Sequence, residues 1–142
     1  MTGHPRREFI DTNVLVYAHD ISAGIKHARA RALIEELWET GGGCLSLQVL
    51  QEFYVNVTRK VAKPLDNAAA AAIIASLAAW TVHLPDVDDL LGAIELQRSE
   101  QVSFWDAMIL HSAKRLGCEM VWSEDLNPGQ QYNGVQVTNP FV

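Results

Sequence analysis

The chain has 142 residues, of which 49% are hydrophobic and 20% charged, with a net charge of −6. That is the size and balance of one globular domain with a sizeable core, and it excludes a disordered or low-complexity chain. The polar start, Met1 to Glu8, has no apolar stretch of the kind a signal peptide carries, and the longest apolar run, Ala68 to Ala75, is too short to span a bilayer, so a cytoplasmic protein with no membrane partner is expected.

Phe9-Ile10 opens a short strand that stops at Asp11, and Thr12 or Asn13 can cap a helix over Val14 to Ala18. Ala30, Leu33, Ile34 and Leu37 recur at helical spacing within a helix over Lys26 to Glu39, which Gly41-Gly42-Gly43 ends. Cys44 to Leu47 reads as a second strand and Gln48 to Val61 as a helix with Val49, Leu50, Phe53 and Val57 on one face. Pro64 breaks the chain, and Asp66 caps a helix over Ala68 to Trp80. Thr81 to Leu84 is a third strand. Asp86 or Asp88 caps a helix to about Gln101, and Ser103 caps another over Phe104 to Leu116, stopped by Gly117. Met120 to Ser123 is a fourth strand, Asn127-Pro128-Gly129 a turn, and Val135 to Thr138 a fifth strand.

Strands alternating with helices predict an α/β fold with a mostly parallel central sheet, all in a single domain over residues 1–142. In such sheets ligands bind at the carboxyl ends of the strands. Asp11 directly follows the first strand, Asp125 follows the fourth, and Glu52 lies early in the helix after the second.

Those acids and Asp106 have apolar neighbours: Phe-Ile-Asp-Thr-Asn-Val around Asp11, Leu-Gln-Glu-Phe-Tyr around Glu52, Phe-Trp-Asp-Ala-Met around Asp106 and Val-Trp-Ser-Glu-Asp-Leu around Asp125. An ionised carboxylate is rarely buried without a partner. No Lys or Arg lies within five residues of Asp106 or Asp125. A divalent cation is a candidate for the missing charge, and an all-oxygen donor set suits Mg²⁺ or Mn²⁺ rather than zinc. Each acid also has a plain structural role open to it. Asp11 can cap the helix that follows, Asp106 can complete a capping box with Ser103, Glu52 can be a solvated helix residue, and Asp125 can belong to turn chemistry. Their conjunction favours a site, with Glu124 a second-rank candidate beside Asp125.

The negative charge is no bar to a nucleic acid, since four of the acids belong to the candidate site, and basic residues cluster at Lys26, Arg29 and Arg31 and at Arg59, Lys60 and Lys63. The charge balance neither supports nor excludes RNA. The tryptophans Trp38, Trp80, Trp105 and Trp122 read as core, and the histidines form no nucleophile motif. Cys44 and Cys118 read as buried free thiols in a reducing compartment, with a disulfide left open.

Asp-Thr-Asn-Val-Leu-Val-Tyr-Ala at 11–18, Glu52 in a helix, Ser-Phe-Trp-Asp-Ala at 103–107 and Ser-Glu-Asp at 123–125 resemble the PIN domain, nearest to the VapC-type toxins of bacterial toxin–antitoxin pairs. The resemblance implies a three-layer α/β/α sandwich and a ribonuclease that uses Mg²⁺ or Mn²⁺. It makes Asp11, Glu52, Asp106 and Asp125 the metal-binding, catalytic acids, with Asn13 and Ser123 orienting the site. Many members carry Thr at the place of Ser123, which keeps the hydroxyl. An RNA substrate, a cognate antitoxin and a homodimer are further implications.

Two other strand-end Asp chemistries fit less well. A haloacid-dehalogenase-like phosphatase needs a second Asp where Asn13 stands, and a phosphoacceptor receiver domain needs a Lys near its last strand, whereas the last Lys here is Lys114. The serious alternative is a catalytically silent PIN-like module that binds RNA or protein.

Overall fold

A computed structural model describes residues 5–126, 129–132 and 134–142. The proposed turn at Asn127-Pro128-Gly129 lies mostly outside them. The elements run β1 (Glu8–Ile10), α1 (Thr12–His19), α2 (Ile25–Thr40), β2 (Gly43–Ser46), α3 (Leu47–Arg59), α4 (Asn67–Leu77), β3 (Thr81–His83), α5 (Val87–Glu100), α6 (Phe104–Arg115), β4 (Met120–Trp122), β5 (Gln131–Tyr132) and β6 (Val135–Thr138), with one 3₁₀ turn at Ile21–Ala23.

The sheet has the order β3-β2-β1-β4-β6-β5. Every pairing is parallel except that of β5 with β6. Helices flank it in a three-layer α/β/α sandwich. One group joins α1 to α2 and α3, and α3 to α4, while α5 and α6 pair with each other. β1 lies at the centre, and Phe9 and Ile10 are fully buried, as expected for a strand covered on both faces.

Several boundaries differ from those read in the sequence. Leu47 belongs to α3 and not to β2, because the Ser46 side chain accepts a hydrogen bond from the Val49 N–H and starts the helix there. Asp11 itself caps α1 through the Thr12 N–H, so the helix begins earlier than Val14. β5 was not foreseen, since two residues carry no alternation to read. Gly43 sits beneath Trp80: a Cβ there would stand 2.5 Å from the indole ring, so the last of the three glycines serves packing as well as helix ending.

Two tryptophans contradict the expectation of four core residues. Trp105 is 61% and Trp38 45% exposed. Trp105 stands in the first turn of α6, and Trp38 rests edge-on against the buried Trp80. Cys44 and Cys118 are both buried and free, as expected.

A polar knot also escaped the sequence. Asp89 on α5 is buried and accepts hydrogen bonds from His83 Nε2 (3.1 Å) and His111 Nε2 (2.9 Å), with Arg115 Nε 3.2 Å away. Ser112 Oγ lies 2.8 Å from His83 Nδ1. A Ser–His–Asp chain thus exists, which the reading that the histidines form no nucleophile motif did not foresee. All three members are buried, so it ties β3, α5 and α6 together rather than presenting a nucleophile.

Candidate active site

The parallel ladder brings β1 and β4 side by side, with Ile10 opposite Trp122. One step further, the Asp11 N–H donates to the Trp122 carbonyl (3.0 Å) and the Ser123 N–H to the Thr138 carbonyl (3.0 Å). Asp11 and Ser123 therefore meet at the carboxyl edge of the sheet, where ligands of open α/β sheets bind. Ser123 Oγ donates to Asp11 Oδ2 at 2.8 Å and accepts from the Asp125 and Leu126 N–H groups. One hydroxyl thus fixes the buried acid and the turn that carries Asp125.

Asn13 works the same joint from the other side. Its Nδ2 donates to Asp125 Oδ2 (3.0 Å), and its Oδ1 accepts from the Glu124 N–H (3.2 Å). Both supporting residues read from the sequence hold acids of the site. Thr12 was seen only as a possible cap, yet its Oγ1 donates to Glu52 Oε1 at 2.6 Å and links α1 to α3. Its place directly after Asp11 was the available signal. Gln48, also not foreseen, donates from Nε2 to Glu52 Oε2 (3.3 Å) and to the Trp105 carbonyl (3.4 Å). Among the described residues its Oε1 is one of two buried polar side-chain atoms with no hydrogen-bond partner.

Asp11, Glu52, Asp106 and Asp125 all line one cavity of about 650 Å³. Glu124 does not line it. Its carboxylate turns to Tyr17 Oη (2.8 Å) and to Lys26 Nζ. Burial works against that carboxylate, but the bonds from Lys26 and Tyr17 outweigh it and hold its pKa below the ordinary value.

Asp11 behaves in the opposite way. Burial pushes its pKa up to about 6; the bonds from Ser123 and the Thr12 N–H pull it down, and the charges of Asp106 and Glu52 push it up again. An acid so placed gains from an added positive charge. The donor set is oxygen only, which suits a hard divalent cation. Among the described residues, however, no three His, Cys, Asp or Glu side chains stand close enough together to enclose an ion. Three of the four carboxylates are engaged by neutral donors: Asp11 by Ser123, Glu52 by Thr12 and Gln48, Asp125 by Asn13. The chemistry of the donors fits a hard cation, although the described side chains do not enclose one as they stand.

Among the described residues no helix is long and apolar enough to cross a membrane.

No curated protein sequence matches the chain. Solved structures share its fold. Mycobacterium tuberculosis VapC20, a toxin that cleaves the sarcin–ricin loop, is 24% identical, with 83% of this chain and 89% of that one covered at a TM-score of 0.64. A toxin–antitoxin complex from Klebsiella pneumoniae is 17% identical, covering 94% and 97% at 0.69. DNA-bound VapBC from Salmonella typhimurium is 16% identical, covering 95% and 98% at 0.66. The PIN domain family model matches residues 9–130, a span that contains two of the three residues of β1, helices α1 to α6 and every acid of the cavity. The chain belongs to the PIN domain family.

Proposed function

We propose that the chain is a divalent-metal-dependent endoribonuclease and the toxin of a toxin–antitoxin pair, acting as a single domain in the cytoplasm. The observation that carries this reading is the meeting of Asp11, Glu52, Asp106 and Asp125 on one cavity at the carboxyl edge of the sheet. PIN-family membership and the shared fold with VapC toxins support it. Partners on this reading are an RNA substrate, a cognate antitoxin and a second copy of the chain in a homodimer.

Asp11 and Asp106 would be the principal ligands of Mg²⁺ or Mn²⁺, with Glu52 and Asp125 completing the shell directly or through water. The ion supplies an activated water and charge relief at the phosphate. The protein's own part is positional. Ser123 holds Asp11 in one orientation, Asn13 holds Asp125, and Thr12 holds Glu52. Glu52 or Asp125 would take the proton of the attacking water.

Cleavage of RNA by the purified chain with Mg²⁺ or Mn²⁺, compared with Asp11→Asn, tests the reading. Loss of cleavage in the variant supports it. Cleavage that survives in the variant, free of contaminating ribonuclease, overturns it. The separation of the acids is the one observation that favours the silent binding module instead. Metal binding with no cleavage of any RNA would decide for that module.

A further inference from the structure

We propose that Trp105 is a stacking platform for an unpaired base of the RNA next to the site acids; this rests on the ribonuclease reading above. Trp105 immediately precedes the site acid Asp106 and lines the same cavity, yet it is 61% exposed. A large apolar ring left in water beside a site is a cost the fold has not removed by burial.

The ring is held, not loose. Phe104 packs against it at 4.8 Å between centroids with the planes at 73°. Whichever ring offers its edge, one face of the indole stays uncovered. Gln48 Nε2 bonds the Trp105 carbonyl and ties the first turn of α6 to α3. A fixed aromatic face binds an unstacked base at little entropic cost, whereas the faces of a paired base are already covered by its neighbours in the duplex.

Other residues lining the cavity suit the rest of a nucleotide. Lys60 is an exposed cation lining the cavity from just beyond α3, and Gln51 and Asn56 add neutral polar groups on that helix. The acids would engage a cation at the scissile phosphate, Lys60 meets a neighbouring phosphate, and Trp105 takes the base. An acidic protein segment would gain nothing from the four carboxylates, and an apolar one would leave Lys60 and Gln51 unpaired.

The test uses the full chain with Ca²⁺ in place of Mg²⁺, and a short fluorescein-labelled oligoadenylate, single-stranded or annealed to oligouridylate. Anisotropy should show single-stranded binding weakened about 10-fold or more by Trp105→Ala. Trp105→Phe should restore most of it, and Trp38→Ala, the other exposed tryptophan, should leave it unchanged. Duplex binding should be weaker in the parent protein and indifferent to Trp105. Equal affinity of parent and Trp105→Ala overturns the proposal, as does a Trp105→Phe variant no better than Trp105→Ala, or a parent that binds no single strand. If cleavage is metal-dependent but Trp105→Ala keeps the same KM, stacking falls and the nuclease stands. If the binding pattern holds and no RNA is cut, stacking stands and the nuclease falls.

Discussion

Ser123 and Asp11, 112 residues apart in sequence, share a 2.8 Å hydrogen bond at the centre of the carboxyl edge of the sheet. That bond opposes the burial that drives the Asp11 pKa up to about 6. Ser123→Ala should therefore raise the Asp11 pKa further and weaken Mn²⁺ binding by about 10- to 100-fold, with Ser123→Thr restoring it. Calorimetric titration with Mn²⁺ reads both variants, and unchanged affinity in Ser123→Ala would refute the role.

The raised pKa of Asp11 also fixes a sign. Between its ordinary value of 3.8 and about 6 the folded chain holds a proton that the unfolded chain releases. In metal-free protein, stability contributed at this residue thus grows as pH falls from about 6 toward 4, while Mn²⁺ affinity falls over the same range because protons compete for the carboxylate. Urea unfolding and Mn²⁺ titration across that window check the two slopes. Loss of both trends in Asp11→Asn is expected.

Thr12→Val removes the 2.6 Å bond to Glu52 without changing side-chain volume much. The expected result is a fall in cleavage rate of about 10-fold, the size of effect seen when a group that orients a metal ligand is lost. A rate equal to the parent's would mean that Glu52 needs no such support.

Glu124→Gln should leave Mn²⁺ affinity and cleavage unchanged, because that carboxylate serves Tyr17 and Lys26 and not the cavity. The ion pair is partly exposed and adds little to stability. A marked loss of metal binding in this variant would place Glu124 among the ligands.

The knot around Asp89 predicts an acid-side loss of stability. Burial raises its pKa, but the Asp86 N–H, His111 and His83 outweigh burial and hold it well below 3.8. Its contribution is therefore present above 3.8 and lost as pH falls below that value. The charged and titratable groups facing it are His83 from β3, His111 and Arg115 from α6, and Asp86 at the start of its own helix. Asp89→Asn should cost about 3–5 kcal/mol near pH 6, with the gap to the parent narrowing below pH 3.8. Gly92→Ala probes the same packing. Its Cβ would stand 2.5 Å from His111 Cε1, so the ring must leave Asp89. A cost of about 1–3 kcal/mol is expected even though Ala is the better helix former.

The site was legible in the sequence to the extent that strands were. Phe9-Ile10 and Met120 to Trp122 are apolar runs that end at acids, so the sheet rule placed Asp11 and Asp125 together before any coordinate did. Glu52 followed from the helix predicted to start at Gln48 after the second strand. What the pattern could not carry was direction within a turn. Trp105 read as a core residue, yet it stands in the first turn of α6 with its indole 61% exposed. The knot of His83, Asp89, His111, Ser112 and Arg115 was hidden for a related reason. Its members come from three elements at no common period, and Asp89 already had a sufficient local explanation as the partner of Asp86 in a capping box. The same holds in reverse for Asp11, which both caps α1 and lines the cavity.

The strand order has a consequence for biosynthesis. β1 leaves the ribosome before any other strand, but one of its two neighbours, β4, follows only after all six helices. Until residues 120–126 emerge, Asp11 has neither its serine nor the loop that carries Asp125. A prematurely terminated chain lacking that loop would hold three of the acids without the fourth. The candidate site therefore stays incomplete for an interval set by translation itself.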